Sequence, residues 1–120
     1  MSVILIKHPQ NWGLREEKVR VAAKKALWDL GYRKDRVELS IVFVGKIRAK
    51  KLNKQYRKMD YVPQVLGFPM SKVVDSDGLI WLGDIVICTA KLKYEAKWLK
   101  KDLDVVLKEW MTHGVENLMK

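Results

Sequence analysis

Apolar and polar positions alternate along the chain in a way that predicts strands and helices in turn. Residues 2–6 form a short apolar stretch typical of a strand, and residues 38–44 are rich in β-branched and apolar side chains, with Gly45 directly after them. Between these stretches, residues 16–30 place apolar side chains on one face of a helix, and Gly31 follows its predicted end. The first part of the chain therefore predicts strand, helix and strand.

The middle of the chain continues the alternation in shorter pieces. Residues 46–57 have the composition of a helix, and residues 65–68 predict a short strand that ends at a proline. Residues 71–78 predict a loop with an Asp-Ser-Asp-Gly turn. Residues 79–88 predict a buried strand that a Gly-Asp pair in its middle breaks.

From residue 90 onward the pattern is helical. Apolar residues recur every three or four positions, as one buried face of a helix requires, and lysines occupy the other faces. This pattern fits either one long helix or two helices that meet near Lys101 and Asp102.

The order of these elements predicts an α+β protein that forms a single domain over residues 1–120. We expect a mixed central β-sheet of about four strands flanked by helices, with a long C-terminal helix. A chain of 120 residues is long enough for one hydrophobic core and too short for two. The single cysteine, Cys88, lies in an apolar run, which predicts a buried side chain and excludes an internal disulfide. No apolar stretch approaches the roughly 20 residues that span a bilayer, so we expect a cytoplasmic protein that does not contact a membrane.

The net charge says more about function than the rest of the composition does. The chain carries 24 Lys and Arg against 14 Asp and Glu, a net charge of +10. Such an excess favours a polyanionic partner, because each phosphate contact releases condensed counterions. The alternative is a basic surface that only keeps the protein soluble.

The positive charge is concentrated in the predicted helix 46–57 and the residue after it, a segment without acidic residues. Ala49, Leu52 and Tyr56 predict its buried stripe, so the basic side chains project outward. Such a face suits an RNA backbone better than a small ligand, although it could also be a solvated surface. Nothing in it reads bases, so no DNA specificity is expected. The candidate RNA-binding residues are Lys46, Arg48, Lys50, Lys51, Lys54, Arg57 and Lys58.

Three further motifs make a family resemblance visible. Residues 52–57, Leu-Asn-Lys-Gln-Tyr-Arg, resemble the Leu-Asn-x-x-Tyr-Arg helix of the YbeY family of endoribonucleases. Residues 65–69, Val-Leu-Gly-Phe-Pro, resemble the family's Thr-Asp-Val-Leu-Ser-Phe-Pro strand. Residues 82–85, Leu-Gly-Asp-Ile, and the later pair His113-Gly114 resemble the family's strand and its terminal His-Gly-x-x-His helix.

The resemblance implies a cytoplasmic enzyme that acts on ribosomal RNA during its maturation, with ribosomal subunits as possible partners. In the family, three histidines spaced His-x3-His-x5-His hold a zinc ion, and an arginine of the second helix stabilises the scissile phosphate. Carried over by position, His113 is the first metal ligand and Arg57 is the catalytic arginine. Asp84 matches the aspartate of the Leu-Gly-Asp-Ile strand.

The chain departs from the family pattern at the metal site. Asn117 stands at the second histidine position, and the third position would fall three residues beyond Lys120. Pro63 and Gln64 replace the Thr-Asp pair of the strand motif, and Gly67 replaces its serine. Because an amide oxygen suits hard cations better than zinc, we expect zinc to bind weakly or not at all.

Three functions remain open on these residues. The first is a metal-dependent endoribonuclease for ribosomal RNA, in which Glu109 or Glu116 could supply a carboxylate near His113. The second is a non-catalytic member of the same fold that binds RNA or the ribosome. The third is a basic scaffold that binds an acidic protein.

Overall fold

The computed structural model describes residues 2–34, 36–70, 76 and 78–119. Strands and helices follow one another in the order that the apolar pattern predicts, and each predicted element is confirmed with small changes at its ends. The loop predicted for residues 71–78, with its Asp-Ser-Asp-Gly turn, lies largely outside the described residues. The elements are β1 (Ser2–Lys7), α1 (Glu16–Asp29), β2 (Arg36–Val44), α2 (Lys46–Arg57), β3 (Val65–Pro69), β4 (Leu79–Cys88), α3 (Thr89–Trp98) and α4 (Leu103–Met119).

The four strands form one mixed sheet in the order β1-β2-β4-β3. Strand β2 pairs in parallel with both β1 and β4, whereas β3 pairs antiparallel with β4. Helices α1 and α4 pack against one face, and α2 lies on the other. This arrangement confirms the predicted α+β class and the long C-terminal helix.

The Gly-Asp pair in β4 does not break the strand, contrary to the prediction. The register between β2 and β4 shifts between Glu38 and Leu39, which pair with Trp81 and Gly83, so β4 carries one extra residue there. Gly83 has φ +132°, and a Cβ at this position would collide with the carbonyl oxygen of Phe68. Only glycine allows this bulge, so the strand continues through it.

The main core lies between the sheet and helices α1 and α4. Removal of this apolar surface from water provides most of the free energy that holds the sheet to its helices. Its largest fully buried side chains include Phe43, Leu27, Leu39, Ile41, Leu82, Ile85, Ile87, Leu107, Met111 and Leu118.

The core under α2 is smaller and differs from the predicted stripe. Ala49 is buried and Leu52 is half-buried, but Tyr56 is 59% exposed and meets the edge of Phe68 at a ring distance of 5.1 Å. Asn53 is buried instead, because its side-chain amide donates a 3.1 Å hydrogen bond to the carbonyl of Tyr61. The apolar pattern cannot show this polar anchor. Cys88 is buried in the same cluster, as predicted.

The C-terminal segment forms two helices, α3 and α4. The sequence pattern had allowed either one long helix or two. Lys100 has φ +50°, and the amides of Lys100 and Lys101 donate to the carbonyls of Lys97 and Ala96. These bonds close α3 with a Schellman motif. No helix of the described residues is long and apolar enough to cross a membrane.

Candidate nucleic-acid cleft

A surface cleft of about 450 Å³ opens where α2, the segment before β3, α3 and α4 meet. It brings together Arg57, His113 and Asn117, three residues that the sequence singles out from opposite halves of the chain. The cleft is lined by Arg57, Tyr61, Val62, Pro63, Gln64, Val65, Lys91, Trp110, His113 and Asn117.

Helix α4 supplies His113 and Asn117 from one exposed side, one turn apart. Between them, Gly114 is buried against β4. A Cβ at Gly114 would lie 2.8 Å from Cδ1 and 2.9 Å from Cγ2 of Ile85, a buried side chain. The glycine therefore lets α4 approach the sheet closely, and this close packing fixes where His113 stands.

A second glycine shapes the same wall of the cleft from β3. A Cβ at Gly67 would lie 3.1 Å from Cβ of Asn117, closer than most real contacts of this kind. The glycine that replaces the family's serine thus leaves room for α4 at the position of Asn117.

Arg57 ends α2 at the opposite wall, and its side chain is exposed. The next residue, Lys58, has φ 60° and forms the left-handed cap of the helix. The buried amide of Asn53 holds the following turn. This turn returns the chain toward β3 and leaves the planar guanidinium, a fork of five donors, at the cleft.

Two residues that line the cleft are joined through Glu95, a partner outside the lining that sequence reasoning missed. The indole Nε1 of Trp110 donates to Oε2 of Glu95 at 2.7 Å, and the amide of Gln64 donates to Oε1 at 3.2 Å. Glu95 therefore ties α3 to α4 and to the segment before β3. Gln64 stands where the family motif has its aspartate. No local pattern marks these partners, since the residues are 15 and 31 positions apart.

The charge of the cleft is positive. Arg57 and the half-buried Lys91 contribute cations, and none of the described lining residues is acidic. A concave surface with one sign of charge concentrates ligands of the opposite sign. The arrangement suits a phosphate group.

The donors around His113 do not fit a zinc site with three protein ligands. Asn117 offers only a neutral amide, and the carboxylate of Glu109 lies 3.1 Å from Nζ of Lys101, away from the cleft lining. Glu116 is exposed and is not part of that lining either. Within the described ranges, no three His, Cys, Asp or Glu side chains lie close enough to hold one metal ion.

Most of the basic residues of α2 lie away from the cleft. Three of them, Lys46, Arg48 and Lys51, line a shallow hollow near the start of the helix, which is about 16 Å from Arg57 along the axis. Nζ of Lys50 lies 3.7 Å from a carboxylate oxygen of Asp60. The basic surface therefore extends outward from the cleft.

The remaining residues of the predicted site are placed more simply. Nζ of Lys58 donates to the carbonyl of Gln55 at 3.3 Å, and Lys54 is exposed. Asp84 lines a different hollow, on the α2 face of the sheet, together with Glu38 and Trp81. The aspartate of the Leu-Gly-Asp-Ile motif thus does not reach the cleft.

A basic cleft beside a mixed sheet is compatible with several families of α+β proteins, and comparison with known proteins decides among them. The sequence model of the family Endoribonuclease YbeY matches residues 7–119. The chain belongs to the YbeY family, which confirms the resemblance seen in its motifs.

Individual relatives agree with the family match. Endoribonuclease YbeY of Aquifex aeolicus is 34% identical over 106 residues, which cover 88% of this chain and 68% of the relative. The protein of the same name from Colwellia psychrerythraea is 38% identical over 82 residues, or 68% of this chain and 52% of the relative. The chain spans about half the length of several curated relatives that it matches.

A solved structure supports the fold. The solution structure of a Thermotoga maritima protein superposes with a TM-score of 0.58 at 24% identity, over 100% of this chain and 73% of the other. The two chains therefore share the arrangement of strands and helices.

Proposed function

We propose that this chain acts on ribosomal RNA as an endoribonuclease, with the scissile phosphate in the cleft between α2 and α4. The observation that carries the proposal is the meeting of Arg57, Lys91 and His113 in one cleft whose described lining has no acid. Family membership supports the reaction class, and the net charge of +10 supports a polyanionic substrate.

Each of the three side chains has a chemical part in this proposal. The guanidinium of Arg57 donates to the non-bridging oxygens and stabilises the negative charge that grows there during attack at phosphorus. The ammonium of Lys91 adds a second positive charge on the α3 side of the cleft. The imidazole of His113 accepts the proton of the hydroxyl oxygen that attacks phosphorus and returns it to the oxygen that leaves as the old P–O bond breaks.

The basic face of α2 extends the binding surface beyond the cleft. Its lysines and arginines contact phosphates in succession, so binding strength comes from the backbone and falls with salt. This mode of binding suits the folded RNA of a ribosomal subunit in the cytoplasm, and it gives no preference for particular bases.

A second function, RNA binding without cleavage, is favoured by the donor set around His113. One imidazole and the amide of Asn117 make a poor zinc site, and Glu109 is held by Lys101. In the family a zinc ion would supply an activated water, and this chain's described residues do not complete its site. We therefore expect weak zinc binding, with affinity lower than that of a three-histidine site by orders of magnitude.

Cleavage of a ribosomal RNA fragment by the purified protein separates the two functions. For the enzyme we expect Arg57→Ala to reduce the cleavage rate by about 100-fold or more, and His113→Ala to abolish it. The matched control is Arg33→Ala, an exposed arginine that contacts Trp28 away from the cleft, which should leave the rate unchanged.

Four results decide the outcome. Cleavage that survives His113→Ala contradicts the role proposed for His113. Salt-sensitive RNA binding without any cleavage, weakened by Arg57→Ala and not by Arg33→Ala, establishes the second function. Absence of RNA binding at low salt contradicts both, and stoichiometric zinc in the purified protein contradicts the weak metal site.

A further inference from the structure

Helix α3 exposes two aromatic side chains side by side. Tyr94 is 60% exposed and Trp98 is 68% exposed, with their ring centroids 5.8 Å apart. Large rings normally gain stability by burial, so an exposed pair on one turn does not serve the core. The exposed Trp28 differs, because Arg33 lies over its ring at 5.2 Å.

The aromatic pair lies on the helix that supplies Lys91 to the cleft. Lys91 lines the cleft from α3, and Tyr94 and Trp98 follow it by three and seven residues, which places all three on neighbouring rows of one helix side. Leu92 and Ala96 are buried on the opposite side. From Lys91 to Trp98 the helix rises about 10 Å, so the rings follow Lys91 within two turns of the same helix.

The surroundings of the pair are basic. Lys97 flanks Tyr94 on the side away from Lys91, since it follows Tyr94 by three residues. Lys100 is exposed just after the helix. The single acid of α3, Glu95, has both oxygens engaged by Trp110 and Gln64. A partner for this surface needs negative charge and flat apolar groups together.

We propose that Tyr94 and Trp98 form a stacking platform for unpaired bases of an RNA strand whose backbone continues into the cleft past Lys91. Bases of a single strand expose their faces and stack on aromatic rings, whereas the bases of a duplex are already stacked on each other. Phosphates on either side of the stacked bases meet Lys91 and Lys97. The platform rests on the proposed function for its partner, and it adds a preference for single-stranded RNA next to the bound phosphate.

The test is binding of a fluorescent single-stranded oligoribonucleotide and of a duplex with the same sequence, measured by anisotropy. For the double variant Tyr94→Ala with Trp98→Ala we expect the affinity for the single strand to fall by at least about 5-fold for each ring removed. Binding to the duplex should change less than twofold. Trp98→Phe should keep most of the affinity, because a ring remains.

Trp28→Ala is the matched control, since it removes an exposed tryptophan from α1 and should leave both affinities unchanged. Equal losses for single strand and duplex, or no loss in the double variant, overturn the platform. Self-association that depends on Trp98, with unchanged RNA binding, overturns it in favour of a second copy of the chain as partner.

Arg57→Ala separates failure of the platform from failure of the proposed function. If Arg57→Ala weakens binding and the double aromatic variant does not, the platform fails while the cleft stands. If the aromatic variant alone weakens single-strand binding, the platform stands and the proposed phosphate site fails.

Discussion

Helices α2 and α4 form opposite walls of the cleft, but the protein holds them in different ways. Helix α4 buries an apolar side along its whole length, and its glycine, Gly114, packs directly on Ile85. Helix α2 buries only Ala49 and Asn53 and carries most of its side chains in solvent. Helix α4 therefore fixes the position of its cleft residues through the core, whereas α2 contributes charge to the cleft and little stability to the fold.

The largest loss of stability is expected from a cavity under α4. Leu107→Ala removes a fully buried side chain between α4 and the sheet, and we expect it to lower the free energy of unfolding by about 3 kcal/mol. The matched change in α2 is Leu52→Ala, where the side chain is half-buried and the expected loss is about 1 kcal/mol. Urea unfolding measures both, and equal losses would contradict the difference between the two helices.

A smaller effect is expected from overpacking at Gly114. The added methyl of Gly114→Ala meets the branched side chain of Ile85, and its strain outweighs the better helix propensity of alanine, for a net loss of about 1–2 kcal/mol. At Gly45 an added methyl meets nothing within 4 Å, so Gly45→Ala should cost less than about 1 kcal/mol. A Gly114→Ala protein as stable as the parent would show that α4 does not depend on this contact.

The smallest change in stability is expected on the basic face of α2. Because these side chains are exposed, replacing three of them by glutamine should change the free energy of unfolding by less than about 0.5 kcal/mol. RNA binding by the same variant should depend less on salt. The slope of log affinity against log salt should become less steep by about 0.7 for each RNA phosphate that the variant no longer neutralises. The replaced residues are Lys46, Arg48 and Lys51.

A control with the same change in net charge tests whether position matters. Three exposed lysines lie on or just after α1, outside the cleft and outside α2, and their replacement by glutamine should leave most of the salt slope in place. Titration of RNA binding from low to high salt gives both slopes, and identical slopes would show that net charge alone drives binding. The control residues are Lys24, Lys25 and Lys34.

Much of the fold follows from local pattern. The helical spacing of apolar residues predicted the buried sides of α1 and α4, and the β-branched run predicted β2. Both patterns are visible because the hydrophobic effect places apolar residues on the inner side of each helix or strand. The errors fall where the glycine bulge of β4 or polar chemistry overrides that rule. Tyr56 was predicted to be buried and is exposed, while Asn53 takes the inner position through its hydrogen bond to Tyr61.

The candidate site was only partly visible in the sequence. The family motifs pointed to Arg57, His113 and Asn117, and the structure places all three in one cleft. Gln64, which stands at the aspartate position of the strand motif, lines the same cleft. Lys91 lines it too, yet Lys91 belongs to no local pattern that predicts it. The roles proposed for these side chains remain predictions for the experiments above.

The order of elements, the concentration of positive charge in α2 and the motifs that mark the YbeY family can all be read from the residues along the chain. The packing of distant elements brings Arg57, Lys91 and His113 into one cleft and leaves Tyr94 and Trp98 exposed on α3. The difference arises because the order of elements depends on local contacts, whereas the cleft depends on contacts between residues that are far apart in the chain. Periodicity records which side of an element faces the core, whereas neighbours across a cleft depend on how α2, α3 and α4 pack on one sheet.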